Sequence, residues 1–170
     1  MPNVNAPGPA SGSRFSGWFR DQLNNVLEAY YRGTLFLRAS TTAVTTPLSL
    51  QSTSATGGIG YATGAGSTVT QITSRATGVT INAICGAITT DTTSLAAGVE
   101  ATFTVTNSAV AIGDTIVLSA RSGQTAATSV PIVTAVAAGS FDITLTNLHA
   151  STADTGAMII NFAVIKAVSA

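Results

Sequence analysis

The chain has 170 residues, of which 7 are Lys or Arg and 7 are Asp or Glu, so its formal net charge is zero. Charged residues make up 8%, against about 25% in an ordinary soluble domain; Thr, Ser, Gly and Ala fill the shortfall. Nothing in that balance suggests nucleic acid or an acidic membrane surface as a partner, and no apolar run reaches the roughly 18 residues of a bilayer-spanning helix.

The length suits one core of roughly 100–150 residues plus an arm. The single cysteine, Cys85, can form no internal disulfide and matches no metal motif. It is expected to be a small buried apolar residue in a strand. The chain opens Met1-Pro2-Asn3-Val4-Asn5 without a basic segment and apolar core behind it. Synthesis in the cytoplasm, without a cleaved secretory signal, is expected.

Residues 1–13 are Pro, Gly, Ser, Ala and Asn with few exceptions, and Pro2, Pro7 and Pro9 oppose both helix and central strand. An extended arm is expected. Over residues 14–32, Phe15, Trp18, Phe19, Gln22, Leu23, Val26, Leu27, Tyr30 and Tyr31 recur at i, i+3, i+4, i+7, i+8 spacing. This period predicts one amphipathic helix with a wide stripe. Ser13 or Ser16 is placed to cap its start, and Gly33 to end it. Arg14, Arg20 and Arg32 lie in the same stretch and Arg38 just beyond. Aromatics with Arg are the residues that dominate interface hot spots. Two roles stay open for the helix: packing on the chain's own β-domain, or gripping a partner.

Thr34-Leu35-Phe36-Leu37-Arg38 reads as a short strand. A Thr/Ser-rich stretch with Pro47 follows, and then Gly57, Gly58, Gly60, Gly64 and Gly66 lie among Ser, Thr and Ala. Residues 39–66 therefore read as a linker, with a boundary near 66. From Ser67 the period becomes two. Val79–Cys85, Ala87–Thr90, Val99–Thr106, Thr115–Ala120, Val130–Ala137, Phe141–Asn147 and Ala157–Lys166 are rich in Val, Ile, Thr or Phe, with Gly78, Gly86, Gly98, Gly113, Gly123, Gly139 and Gly156 between or beside them. Short strands without helical pattern between them predict an all-β domain over 67–170, an antiparallel sandwich or barrel of jelly-roll-like kind. Thr102, Thr104 and Thr106 alternate with Phe103 and Val105, giving one wet or partner-facing face and one apolar face. Phe103, Phe141 and Phe162 read as core.

In this region only Arg75, Asp91, Glu100, Asp114, Arg121, Asp142, Asp154 and Lys166 are charged. Strand faces and edges without charge lack the usual protection against pairing, so association with further copies or a larger assembly is expected. Chemistry is sparse. His149, the one histidine, lies in a turn-like stretch, Asn147-Leu148-His149-Ala150-Ser151, and no Gly-x-Ser-x-Gly elbow supplies a nucleophile for it. Asp91 and Asp114 read as turn residues bonding their own backbone; the acidic residues are too dispersed for a Ca²⁺ loop. The glycines near 57–66 lack the Gly-Lys-Ser/Thr ending of a phosphate loop. No enzyme, cofactor or metal is expected.

The stretches Arg75-Ala-Thr-Gly-Val-Thr-Ile-Asn82, Cys85-Gly86-Ala-Ile-Thr-Thr90, Leu95-Ala-Ala-Gly98, Phe103-Thr-Val-Thr-Asn107, Asp114-Thr-Ile-Val117 and Asn161-Phe-Ala-Val-Ile-Lys166 together resemble a β-domain recurrent among structural proteins of tailed bacteriophages, including capsid decoration (cement), head-fibre and tail-associated proteins. The resemblance covers about residues 67–170. It implies a virion component, commonly a homotrimer, on the capsid surface. The expected function is decoration: the segment 1–38 grips the major capsid protein through Arg14, Phe15, Trp18, Phe19, Arg20, Leu23, Leu27, Tyr30, Arg32 and Arg38, and the β-domain projects outward. A tail-fibre or spike module binding a host receptor or glycan, and a tail adaptor subunit, are the alternatives.

Overall fold

A computed structural model describes residues 17–21, 26–31, 34–39, 44–46, 51–125 and 128–167. The described residues form twelve strands and no helix. The chain divides into two compact units, Met1–Ile59 and Gly60–Ala170.

The first unit is an antiparallel meander, sheet A, built from β1 (Gly17–Asp21), β2 (Val26–Tyr31), β3 (Thr34–Ala39) and β4 (Val44–Thr45) in sequential order. The helix expected over 14–32 is thus replaced by two paired strands, with Asp21 opposite Val26 and Gly17 opposite Tyr30. The physical reason lies in the residue types. Trp18, Phe19, Val26, Tyr30 and Tyr31 are aromatic or β-branched and favour a pleated surface, and Asn24-Asn25 between them suits a reversal. Apolar residues dense enough to fill a wide helical stripe also satisfy two short strands, so spacing alone does not separate the two. Gly33, read as a helix terminator, lies outside the described residues, between the paired ends Tyr31 and Thr34. The expected arm over 1–13 lies outside the described residues. β3 coincides with the strand expected there.

The second unit holds sheet B, in the order β5 (Gly66–Thr70), β7 (Cys85–Thr89), β12 (Ile159–Ile165), β9 (Thr115–Ser122), and sheet C, in the order β10 (Ser129–Ala137), β11 (Ser140–Asn147), β8 (Glu100–Thr106), β6 (Val79–Thr80). The chain alternates between them: β5, β7, β9 and β12 go to sheet B, and β6, β8, β10 and β11 to sheet C. Only β10 and β11 are consecutive in sequence and paired, across a turn in which Gly139 takes a φ of 82°. Because the chain visits the other sheet between β5 and β7, and between β6 and β8, each of those pairs is parallel. The expected antiparallel arrangement holds for the remaining pairs and gives way at one edge of each sheet.

The inward faces of both sheets meet in one apolar cluster. Sheet C supplies Val79, Phe103, Val105, Phe141, Ile143 and Leu145, and sheet B supplies Ile88, Ile116, Ile160, Phe162 and Val164. The rings of Phe141 and Phe162, one from each sheet, have centroids 5.7 Å apart. Large side chains buried in this way contribute roughly 1.5–3 kcal/mol each, so the three expected core phenylalanines are central to the unit's stability. Gly86, read as punctuation between strands, lies within β7. A Cβ there would come 2.2 Å from the Ser67 carbonyl oxygen on the parallel neighbour β5, so close backbone approach selects glycine.

Candidate interaction surfaces

The residues expected to grip a partner fall into three groups. Arg14, Phe15, Leu23 and Arg32 lie outside the described residues. Trp18, Phe19 and Arg20 lie on β1, and Leu27 and Tyr30 on β2, but their side chains are outside the described set. Arg38 is described: it sits opposite Glu28 on the neighbouring strand and its Nε lies 3.4 Å from the Glu28 carboxylate. A cross-strand pair of opposite charge is the ordinary stabilising arrangement on a sheet, and it occupies the guanidinium expected to meet a partner's carboxylate.

In the second unit Arg75, Asp154, Asp114 and Lys166 lie at the ends of the sheets, where they tie the chain to itself. At one end Arg75 is 3% exposed and Asp154 is fully buried. The Arg75 guanidinium donates to the carbonyls of Thr93 (2.6 Å), Gly156 (2.8 Å) and Asp154 (3.1 Å), and lies 3.7 Å from the Asp154 carboxylate. Asp154 accepts from the amides of Thr125 and Gly156, both at 3.0 Å, and from the Ser129 hydroxyl. Burial works against the charged form of Asp154. The bond from Ser129, the two amides and the Arg75 charge outweigh it, and the carboxyl is held below its ordinary range. Gly123 and Gly156 close the same corner backbone to backbone: a Cβ on Gly156 would come 1.9 Å from the Gly123 carbonyl oxygen.

Gln71 continues this clamp, donating to the Arg75 and Thr77 carbonyls at 3.2 and 2.7 Å. Between Gln71 and Arg75 the chain makes a tip in which Ile72 is exposed and Thr73 takes a φ of 90°. A β-branched residue in that region is strained and persists where its surroundings fix it, as the two buried anchors do here. Asp91 accepts from the Thr93 amide at 2.7 Å, and the bonds from Thr93 lower its carboxyl. His149 lies in the expected turn, its Nδ1 accepting from the amides of Ser151 and Thr152 at 3.1 and 2.8 Å.

At the other end Lys166, just past β12, lies 2.5 Å from the Asp114 carboxylate and donates to the Ala109 carbonyl at 2.9 Å. Asp114 also accepts from the Ala111 amide at 2.7 Å. The Lys166 bond, then that amide, lower its carboxyl. The turn role expected of Asp91 and Asp114 is what the structure has. The Arg75–Asp154 pair was not anticipated. Its only signal in the sequence is scarcity: in a region that keeps few charges, each has a reason to be kept.

The two outward faces differ. On sheet C, Thr102 and Thr144 hydroxyls are 2.7 Å apart, Thr134 and Thr144 3.1 Å, and Thr104 and Thr146 donate to Asp142 and Glu100 at 2.7 and 3.1 Å. That ladder is polar, charged and internally bonded. On sheet B, the paired register turns Asn161, Ala163 and Ile165 of β12 outward beside Cys85 and Ala87 of β7 and Val117 of β9. Thr68 and Thr70 of β5 continue the face. Its one charged residue is Arg121, exposed at the end of β9; the hydroxyl, thiol and amide side chains of its centre make no hydrogen bond among the described residues. Cys85 is half-buried on this face, where a core position was expected. Its partner Ala163 alternates with the buried Phe162 and Val164, and that alternation sets Cys85 outward.

Among the described residues no group of three His, Cys, Asp or Glu side chains is placed to hold a metal ion. Comparison with family models, with curated proteins and with solved structures returned no match to this chain.

Proposed function

We propose that the chain is a structural component of a phage particle, a capsid decoration (cement) protein that associates with further copies of itself, expected as a trimer, and with the major capsid protein. The observation that carries this reading is the outer face of sheet B: a four-stranded surface whose centre holds no charge, Arg121 standing at the end of β9, on a unit whose buried ions are paired internally. Such a face is a liability for a free particle and an asset in an assembly. The mechanism is additive burial, each copy bridging neighbours so that many copies stiffen a shell. Attachment falls to the segment through residue 38, now as strands of sheet A in place of a helix. Quantitative mass spectrometry of purified particles tests the reading: hundreds of copies in simple ratio to the major capsid protein support it, and a dozen or fewer refute it.

The Ile72 tip favours a second reading, a tail-fibre or spike module. A strained loop held between buried anchors and presenting an exposed isoleucine suits recognition by contact. Binding of the protein to host cells, lost in Ile72→Asp, would support it; equal binding by that variant would exclude the tip.

A further inference from the structure

The geometry points to the outer face of sheet B as the surface on which copies of this chain meet, with the second copy presenting the same face. This deepens the self-association in the proposed function by naming the surface, and it rests on that part of the reading.

Three observations select a copy of itself as the occupant. The first is charge. Across β5, β7, β12 and β9 the outward positions are Thr, Ser, Gly, Ala, Val, Ile, Cys and Asn, apart from Arg121 at the end of β9. A partner with a charged face would have to shed that charge's hydration without receiving a counter-charge. An identical face imposes no such cost over its uncharged centre, and Arg121 at the end of β9 can keep its hydration at the rim.

The second is the apolar content. Val117 is 47% exposed and Ile165 53% exposed, yet both sit in regular strands beside the small, half-buried Ala163. Val117 pairs with Ala163 and Ile165 with Thr115. Low side chains flanked by two exposed aliphatic ones make a surface with shallow relief, which a second sheet can approach at the usual ~10 Å face-to-face separation.

The third is Asn161, in the middle of β12 between Ala87 and Ser119. Its amide both donates and accepts, so it can be satisfied by a symmetry-related copy of itself, as a buried Asn fixes register between identical helices. No side chain in the face of the described residues satisfies it within the chain.

Four strands at about 4.8 Å spacing and some five to seven residues at about 3.3 Å give a footprint near 400 Å² per copy. That is about half of what one partner contributes to a standard stable interface, ~800 Å². The contact is therefore weak in isolation and dependent on concentration, which suits a surface completed within a larger array.

The test uses the full chain. Sedimentation over a concentration series is run on wild type, Val117→Lys and Thr104→Lys, with maleimide labelling of Cys85 as a second readout. The wild type is expected to form dimers as concentration rises, the closed product of a two-fold contact, and Cys85 labelling to slow in parallel. Val117→Lys should weaken association about tenfold or more, since a lysine is buried without a partner, and should restore labelling to the dilute rate. Thr104→Lys, on the sheet C ladder, should associate as wild type does. Circular dichroism confirms that both variants fold. A wild type that stays monomeric throughout overturns the inference, whether Cys85 is open or shielded; shielding would mean that another part of the chain covers the face. Equal association by Val117→Lys and wild type also overturns it. These outcomes are independent of the copy number in particles, so a failed inference and a failed decoration reading are told apart.

Discussion

The clamped end of the second unit and the outer face of sheet B meet the same shortage of charge in opposite ways. At the clamp, a guanidinium and a carboxylate are buried and nearly every polar atom around them has a partner inside the chain. On the face the one charge, Arg121, stands at the end of β9, and the polar side chains of the centre have no partner among the described residues. Counting charges over the whole chain hides this contrast. The ions of the clamp fix loops, where an unpaired one would be costly, and the centre of the face is kept free of them, where an ion would block close approach. Stability and association are thus assigned to different places, and each is open to separate attack.

The strongest blow to the comparison falls on the clamp. Arg75→Ala leaves Asp154 buried without its cation and strips three carbonyls of their donor. Removing one member of a buried pair costs about 3–5 kcal/mol, so chemical denaturation should show a loss of that order, with the chain's association surface untouched in whatever fraction remains folded. A loss below about 1 kcal/mol would mean that the pair is not structurally central.

Acid attacks the same place. The folded-state carboxyl of Asp154 lies below its ordinary value of 3.8. Its contribution to stability is complete above that value, and it is lost as pH falls from there through the lower folded value, because in that window the unfolded chain binds more protons. Asp91 and Asp114 are lowered as well and act in the same direction. The wild type should therefore hold its stability from neutral pH to about pH 5 and lose it progressively as pH falls below about 4. Asp154→Asn should begin less stable at neutral pH and lose less on acidification. An identical acid loss in the two proteins would remove Asp154 from the clamp.

The sheet C ladder lies between the two extremes and should give an intermediate effect. Thr144 is buried and its hydroxyl meets both Thr102 and Thr134. Thr144→Val removes both bonds while keeping the shape, and the exposed partners can turn to water. A cost of about 1 kcal/mol is expected, measured by the denaturant midpoint. A cost near that of Arg75→Ala would show that the ladder, too, is a clamp.

Much of the second unit was legible in the sequence because period-two alternation is its main signal. The Thr102/Phe103/Thr104/Val105 run, the three core phenylalanines and β8 to β12 all follow from it. What alternation cannot carry is which strand neighbours which. The parallel pairs β5–β7 and β6–β8 arise from the chain's crossing between sheets, a non-local fact, and Gly86 was read as a break because a close approach by Ser67 leaves no mark near it in sequence. The N-terminal segment was misread for a different reason. Its apolar residues are so dense that they fit a helical stripe as well as two strands, and residue type, aromatic and β-branched, outweighed spacing. Of the candidate site, the scarcity of charge was visible in composition, whereas the place of the uncharged surface on sheet B required the register of Cys85 against Ala163 and of Val117 beyond it.

The smallest expected effect is the most discriminating. In dilute solution, where copies are apart, Val117→Lys should change the stability of the single chain by no more than about 0.5 kcal/mol, the usual range for an exposed site. The side chain already meets water, and a lysine's stem can lie along the same strand surface with its charge outward. The same substitution should weaken association about tenfold or more. That pairing of a null and a large effect is what a surface reserved for other copies requires. If instead the dilute monomer loses more than about 1 kcal/mol, Val117 packs against the chain's own residues. The face would then belong to the fold, and the division between a part that holds the molecule together and a part that meets its neighbours would fail.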